Sequence, residues 1–344
     1  MKKIKSILII VLCIFCTNCS NTTSPNENIT VETKTYGSGV PCGGSVMVFN
    51  NQVYRSYEGG IAPLDADLSI NTSARIGNYA QNDVYHIEII NDKIWFALKN
   101  DNNPGIIKVI NSNGIEINEF NAGINPGDIA YWSNNNISWT FIANEGTYDW
   151  SGPTNTGTIT MIDSNGNSQE TEPLGDIVHS LAVYENKLIV SVNNSQKILL
   201  FDISNEGINN KIEIQTEQNL SPREIIIIDN KAYFGAWDPD YTIYQEQSGF
   251  VQILNLNTLE IEENISVGIM PEGLLAYNNI LWVANSGEST ISRINLANNA
   301  VTNPIEVGQG PINLINYGGD IYISRTFYNE IWETFYGTSK IILD

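Results

Sequence analysis

The sequence predicts an all-β fold, a seven-bladed β-propeller of four-stranded antiparallel blades that is closed by an N-terminal strand completing the last blade. The first of three observations is the segment 271–308. It contains four short apolar or alternating runs, separated by the turn formers Asn-Asn, Ser-Gly-Glu and Asn-Asn. Four strands in about 40 residues make one propeller blade. Because one blade cannot bury both of its faces alone, this unit needs neighbours on each side.

The ends of the repeat give the second and third observations. The repeat closes with an apolar or small residue followed by glycine, at Gly77, Gly123, Gly175, Gly268 and Gly308. The interval between Gly175 and Gly268 is about twice the others, and Leu220-Ser221-Pro222 supplies its internal junction. A turn ends each inner strand, at Asn50-Asn51, Asn91-Asp92, Asn134-Asn135, Glu185-Asn186, Asp229-Asn230, Asn278-Asn279 and Gly318-Gly319. Seven turns predict seven blades.

The sixth repeat also carries a family resemblance. Its sequence PEGLLAYNNILWVANSG, followed by ISRINL and a closing IEVG, resembles the YVTN-type repeat of bacterial β-propeller proteins. The resemblance implies a seven-bladed propeller over nearly the whole mature chain. It implies little about chemistry, because related propellers serve as ligand binders, surface-layer proteins and a few lactonases.

The N-terminus predicts export. Residues 1–18 have three lysines, an apolar run and a polar end, as in a secretory signal peptide. Cys19 resembles the cleavage cysteine of bacterial lipoproteins, although Cys16 and Asn18 depart from the usual residues of that motif. Lipidation of Cys19 would anchor the protein, and Ser20 after it favours the outer membrane, facing the periplasm or the cell surface. Ordinary secretion is the alternative.

The composition limits partners and cross-links. The formal net charge of −21 repels phosphate backbones, so nucleic acid is a poor partner. The same acidity keeps an exported protein soluble and favours cationic ligands or basic proteins. Of four cysteines, only Cys42 lies beyond the signal and Cys19, so the mature chain has no intrachain disulfide. We predict no cofactor and no metal.

The segment that follows Cys19 divides into a tether and a strand. Residues 19–28 are polar and predict a flexible tether, and residues 29–344 form the propeller. Residues 29–37 alternate like a strand. The last repeat has three strands before the chain stops, so residues 29–37 are expected to supply its outer strand and remove an open edge.

A ring of polar residues is predicted at one mouth of the axial channel. Counting back five or six residues from each inner turn gives Gly44, His86, Asp128, His179, Glu224, Gly273 and Asn313, with Arg223 and Glu272 adjacent. The two histidines of the chain occupy the same position in two blades. Imidazoles and carboxylates around an axis suit a metal or acid-base chemistry, and they equally suit a solvated channel with no activity.

Three long insertions on the same face are rich in aromatic residues. They join the second and third strands of blades three, five and seven, whereas the other blades have short connections. Their aromatics are Tyr148, Trp150, Trp237, Tyr241, Tyr244, Phe327, Tyr328, Trp332, Phe335 and Tyr336. These rings either line a binding rim or pack on one another as small clusters. The run Asp238-Pro239-Asp240 lacks the further ligands of a calcium loop, so it predicts a turn.

Three functions remain open on this evidence. The first is an exported propeller that binds a small molecule, glycan or protein on its loop-rich face without catalysis. In a sharper form, this reading resembles the surface propeller lipoproteins that capture corrinoids. The second is an interaction scaffold of the cell envelope. The third is a lactonase-like hydrolase that uses His86, His179 and Glu224.

Overall fold

The computed structural model describes residues 29–38, 45–79, 84–100, 103–134, 137–149, 152–238, 249–328 and 334–343. The predicted signal, Cys19 and the tether lie outside the described residues, as does Cys42. The described residues form strands and two short 3-10 turns, Thr72–Ala74 and Glu217–Asn219. None of the described residues belongs to a helix long and apolar enough to cross a bilayer.

Seven antiparallel sheets follow one another around an axis, which confirms the predicted fold class. Blade one has β2 (Val46–Phe49), β3 (Gln52–Tyr57) and β4 (Gly60–Pro63). Blade two has β5 (Val84–Ile90), β6 (Lys93–Asn100), β7 (Asn103–Ile110) and β8 (Glu116–Ile124). Blade three has β9 (Pro126–Ser133), β10 (Ser138–Asn144), β11 (Thr158–Asp163) and β12 (Ser168–Glu170). Blade four has β13 (Val178–Tyr184), β14 (Lys187–Val192), β15 (Lys197–Ser204) and β16 (Gly207–Gln215).

The remaining blades complete the ring. Blade five has β17 (Ser221–Ile228), β18 (Lys231–Trp237), β19 (Gly249–Asn255) and β20 (Ile261–Val267). Blade six has β21 (Pro271–Tyr277), β22 (Ile280–Asn285), β23 (Thr290–Asn295) and β24 (Val301–Glu306). Blade seven has β25 (Pro311–Tyr317), β26 (Asp320–Tyr328), β27 (Thr334–Leu343) and, as its outer strand, β1 (Ile29–Ser38). The expected N-terminal closing strand is therefore present.

Blade one departs from the expectation of four strands. Its described sheet has three, and the predicted closing residue Ile76 meets Ile61 through a single antiparallel bridge. The intervening chain makes its own turns, including a bridge between Leu64 and Ile70, so it does not run as a continuous strand. Leu68 in this segment is buried.

The residues of the tight turns determine where the strands begin and end. Asn278 and Asn279 have φ of 52° and 60°, the left-handed pair that a two-residue hairpin requires. Asparagine adopts this conformation at a low cost because its short polar side chain bonds locally. The turn residues from which the blades were counted are therefore explained by the left-handed backbone conformation that these turns require.

Six of the seven contacts between neighbouring blades are apolar. Each of six buried clusters joins one blade to the next, from the pair of blades one and two to the pair of blades six and seven. Among the described residues, buried polar groups join blade one to blade seven. Arg55, which is 1% exposed, donates to the carbonyl oxygens of Gly337 at 2.6 Å and Arg325 at 3.3 Å.

Strand β1 contacts both of the blades that meet at this closure. It pairs with β27 along its length, and it also reaches blade one. The Lys34 ammonium lies 2.9 Å from Asp67, and the Tyr36 hydroxyl donates to the Leu68 carbonyl at 2.6 Å. Arg325 in turn donates to the Lys34 carbonyl at 3.1 Å. The N-terminal strand therefore holds the last blade and the first blade together.

Deleting residues 29–37 is expected to open the ring. The melting temperature should fall by about 10 °C, which corresponds to about five lost hydrogen bonds at about 1 kcal/mol each and roughly 2 °C for each kcal/mol. The deletion should also cause aggregation through the exposed β27 edge. Thermal unfolding and size-exclusion chromatography measure both effects. Deletion of residues 20–28, the predicted tether, is the control and should leave the melting temperature unchanged. An equal melting temperature for both deletions would contradict the closing role of β1.

Candidate functional site

The polar residues predicted at the channel mouth meet around one cavity, whereas Gly273 is not part of its lining and Gly44 lies outside the described residues. This cavity lies on the axis, where the inner strands begin, and has a volume of about 760 Å³. Its lining includes all seven of the predicted polar residues, His86, Asp128, His179, Arg223, Glu224, Glu272 and Asn313. Counting back from the inner turns therefore found residues that converge in space, although they come from six different blades.

Local backbone irregularities turn these residues toward the axis. In blades two to seven the register between the first two strands shifts near the start of the inner strand. The shift between Pro222 and Ile225, for example, leaves Arg223 and Glu224 out of the ladder. A bulge re-aims side chains and frees backbone groups, and bulges are frequent beside binding sites. The ring of polar residues is thus a product of repeated bulges.

Three of these residues also join neighbouring inner strands. Asp128 accepts hydrogen bonds from the Leu181 N–H at 2.7 Å and the Ser180 hydroxyl at 2.9 Å. Asn313 accepts the Val46 N–H at 3.0 Å. Glu224 likewise accepts a backbone N–H from blade six. Part of the polar ring therefore has a structural task, which is to satisfy backbone donors that the bulges leave unpaired.

Arg223 is fully committed to protein partners. Its guanidinium forms two parallel hydrogen bonds with Glu272, at 3.0 and 2.8 Å, the strongest geometry for such a pair. It also lies 4.1 Å from the ring centroid of Trp237. Burial opposes its charge, but Glu272 outweighs burial, so the pKa of Arg223 is raised and the group stays cationic.

His179 belongs to a network that sequence reasoning missed. Its Nδ1 lies 2.9 Å from Oε1 of Glu145, whose side chain is 3% exposed. Glu145 also accepts hydrogen bonds from the hydroxyls of Tyr85, at 2.6 Å, and Tyr148. Burial alone would raise the pKa of Glu145, but these donors, His179 foremost, hold it below its usual value. The carboxylate is therefore ionised, and it fixes the orientation of the imidazole.

The position of Glu145 in the sequence could have identified it as a residue of the channel face. It directly follows β10, so it stands at the first position of a connection on the channel face, where a carboxylate faces the axis. Tyr85 directly precedes His86 in the bulge of β5, so its position could likewise have identified it as a residue of the channel face. Neither partner could be assigned to His179 from the sequence, because 34 residues separate Glu145 from it.

His86 occupies a different environment from His179. Its Nε2 is buried without a hydrogen-bond partner in the described chain, 3.6 Å from Oδ1 of Asp128 and 3.7 Å from Oε2 of Glu88. Burial disfavours its protonation, but the two carboxylates outweigh burial and raise the pKa of His86. Burial and the nearby carboxylates of Asp128 and Glu272 raise the pKa of Glu224 well above its ordinary value.

The predicted aromatic rim is only partly present among the described residues. Tyr336 lines the cavity, and Tyr148 reaches it through its hydrogen bonds to Glu145 and Tyr85. Trp237 is the last residue of β18 and packs against Arg223, so it supports the cavity wall from behind. Four further predicted rim residues, Trp150, Tyr241, Tyr244 and Trp332, lie outside the described residues.

The prediction of a long loop in blade seven is wrong. Strand β26 extends to Tyr328 and β27 begins at Thr334, so four of the five aromatics there belong to strands. Phe327 and Phe335 pair across these strands with stacked rings 5.8 Å apart. The cross-strand packing of large rings stabilises a continued hairpin. The described part of the insertion of blade three, residues 145–149 and 152–156, contains no strand, as predicted, whereas residues 239–248 of the insertion of blade five lie outside the described residues.

No metal site emerges from the described residues. Among them, no group of three or more His, Cys, Asp and Glu side chains is arranged to hold a metal ion. Asp240 of the run Asp238-Pro239-Asp240 lies outside the described residues, so the turn predicted there stays a prediction.

Fold and site together define the class, a seven-bladed β-propeller with an acidic cavity on its axis. Among solved structures the chain is similar to hydrazine synthase from Kuenenia stuttgartiensis, at 11% identity and a TM-score of 0.64, over 84% of this chain and 94% of that one. It is also similar to the Pan2 WD40 domain of Neurospora crassa, at 11% identity and a TM-score of 0.63, over 92% and 96% of the two chains. The computationally designed Ika8 protein matches at 11% identity and a TM-score of 0.54, over 90% and 98%.

These similarities establish the fold alone. No known protein family and no curated protein matches the sequence. The YVTN-type resemblance of the sixth repeat therefore has no support beyond the quoted residues, whereas the β-propeller is confirmed.

Replacing Glu145 with glutamine tests the His179 network. Glu145→Gln should lower the free energy of unfolding at pH 7 by about 2 kcal/mol, because His179, Tyr85 and Tyr148 would lose an ionised hydrogen-bond acceptor. The pKa of Glu145 is lower in the folded protein than in the unfolded chain. The ionised side chain therefore contributes fully to the free energy of unfolding above the ordinary pKa of about 4.3, and this contribution is lost as the pH falls below that value. Urea denaturation at pH 7 and pH 3.5 should therefore show a smaller difference from wild type at the lower pH.

The control for this experiment is Glu213→Gln, which removes an exposed carboxylate paired with Lys197 and Lys211. Exposed pairs contribute about 0–1 kcal/mol, so this variant should unfold almost like wild type. A Glu145→Gln effect equal at both pH values would show that the carboxylate charge does not hold the network.

Proposed function

We propose that this protein is an exported, lipid-anchored β-propeller that binds a small molecule in its axial cavity without catalysis. The observation that carries the proposal is the cavity itself. Its volume of about 760 Å³ lies in the range of small-molecule sites, and polar groups from six blades converge on aliphatic and tyrosine walls. Polar groups that converge on a cavity of this size are a common feature of ligand sites.

The cellular setting of the proposal comes from the sequence. The signal-like residues 1–18, Cys19 and the polar residues 19–28 support a lipoprotein held off the outer membrane. The YVTN-type resemblance supports a bacterial envelope propeller. A corrinoid captured at the cell surface is one ligand that fits this setting, and a glycan or an envelope protein are the other partners proposed.

A second candidate function, hydrolysis, is favoured by one observation. His179 is held through Nδ1 by a buried carboxylate, so its other ring nitrogen is available to the cavity as a general base. In such a reaction water would lose a proton to Nε2 and attack an ester or lactone carbonyl, and the alkoxide would leave with that proton. His86 and Glu224 line the same cavity.

Blocking the cavity tests the proposed binding. Ile312 lies in the cavity lining, so Ile312→Trp should fill part of the space, whereas Ile312→Val should not. In a thermal-shift screen that includes cyanocobalamin, soluble oligosaccharides, esters and lactones, a ligand at 100 times its Kd stabilises by about 2.7 kcal/mol. We expect a hit that raises the melting temperature of wild type and Ile312→Val by several degrees and leaves Ile312→Trp unchanged.

Three other outcomes would separate the alternatives. A screen without any hit, together with capture of an envelope protein that tolerates Ile312→Trp, would favour the interaction scaffold. Turnover of an ester or lactone that is lost in His179→Gln would favour the hydrolase. A hit that persists in Ile312→Trp would place the ligand elsewhere and overturn the cavity proposal.

The lipid anchor has its own test. Replacing Cys19 with alanine removes the thiol that would carry the acyl groups, so the protein should shift from the membrane fraction to the soluble envelope fraction. Expression in a bacterium with labelled palmitate measures both incorporation and fractionation. Cys42→Ala is the matched control and should retain label and membrane association. Equal labelling of the two variants would contradict lipidation at Cys19.

A further inference from the structure

Charges in the cavity lining are unbalanced. Five carboxylates face it, and the one guanidinium among the described lining residues is that of Arg223. The carboxylates belong to Glu88, Asp128, Glu145, Glu224 and Glu272. A cleft with an excess of one sign of charge concentrates ions of the opposite sign, because its low-dielectric walls focus the field.

Most of these carboxylates already have partners. Glu272 is occupied by Arg223, and Glu145 is occupied by His179 and two tyrosines. Asp128 accepts backbone and hydroxyl donors through both oxygens. Glu88 differs, because Oε1 accepts the N–H of Ile89 and Oε2 accepts no hydrogen bond from a described residue. Acceptor capacity is therefore left at Glu88.

His86 supplies the second and independent observation. Its buried Nε2 has no partner and lies between Oε2 of Glu88 and Oδ1 of Asp128, at distances too long for direct hydrogen bonds. Thr326, which lines the same cavity, also has a buried hydroxyl without a partner. A buried polar atom that lacks a hydrogen bond costs about 1–3 kcal/mol, and such atoms occur where a ligand supplies the missing partner.

We propose that the cavity binds an organic cation, with its protonated amine or guanidinium group held between Glu88, Asp128 and His86. An ammonium group has three donors and a small radius, so it can bridge two carboxylate oxygens and the imidazole acceptor. This inference rests on the proposed function of small-molecule binding and assigns the ligand class to it.

The rest of the lining fits an apolar body attached to that cation. Ile129, Leu181 and Ile225 line the cavity next to the polar ring, and the rings of Tyr85 and Tyr131 belong to its wall. Aromatic rings attract cations and also pack against apolar groups. An amine that carries a hydrocarbon or aryl group satisfies both parts of this wall, whereas an inorganic cation would use only the carboxylates.

The affinity for a cation should rise with pH. His86 faces Glu88, Asp128 and Glu145, and its raised pKa means that near neutral pH a proton competes with the ligand. Glu224 faces Asp128, Glu272 and Glu88, and its raised pKa means that loss of its proton adds a negative charge as the pH increases. Both groups therefore change the affinity in the same direction, and an anionic ligand would show the opposite trend.

Calorimetry at low ionic strength tests the ligand class with three probes of similar shape. We expect phenethylamine to bind, and its neutral and anionic analogues, phenethyl alcohol and phenylacetate, to bind at least tenfold more weakly. Amine affinity should increase from pH 6 to pH 8, where the probe remains protonated. A peptide with one lysine, tested in parallel, shows whether the same group can come from a protein side chain.

Two variants locate the site. Glu88→Gln should weaken phenethylamine binding at least tenfold, whereas Glu116→Gln, an exposed carboxylate on β8, should leave it unchanged. Circular dichroism confirms that both variants are folded. Equal binding of the three probes, no amine binding at millimolar concentration, or an unaffected Glu88→Gln variant would each overturn the cation inference. A neutral or anionic hit that is lost in Ile312→Trp would do so while leaving the proposed small-molecule function intact.

Discussion

The structure depends on the burial of both faces of every blade. A four-stranded sheet with two apolar faces is stable only between two neighbours, so the blades must continue until the ring closes. Six of the contacts between blades use apolar clusters, and the closing contact uses buried guanidinium groups and β1. Guanidinium donors require carbonyl oxygens at defined positions. The closing contact therefore specifies how the two chain ends meet, while the apolar contacts supply most of the stability.

Ring closure also determines where polar chemistry can lie. The inner strands begin around the axis, where they leave a cavity of about 760 Å³ that polar side chains line. The bulges at the start of these strands release backbone N–H groups, and Asp128, Glu224 and Asn313 accept some of them. The same residues thus stabilise the ring and shape the cavity. Glu88 and His86 line the same cavity and take no part in those hydrogen bonds between inner strands.

The two histidines show how similar positions acquire different properties. Both begin an inner strand, yet His179 meets a buried carboxylate at 2.9 Å and His86 lies beyond 3.5 Å from its two carboxylates. The difference comes from the neighbouring blade, since Glu145 belongs to the long connection of blade three. A long connection on one blade therefore sets the chemistry of the next.

The sequence by itself determined the blade count, the closing strand and the seven residues at the channel mouth, because turn chemistry and strand alternation act over a few residues. Only the tertiary structure decided which side chains meet. Glu145 and His179 are 34 positions apart, and Arg55 and Gly337 are 282 positions apart. It also decided that blade one closes through a single bridge and that the aromatics of blade seven continue a hairpin. Those outcomes depend on the volume and the donors that neighbouring blades present, and no local pattern in the chain encodes them.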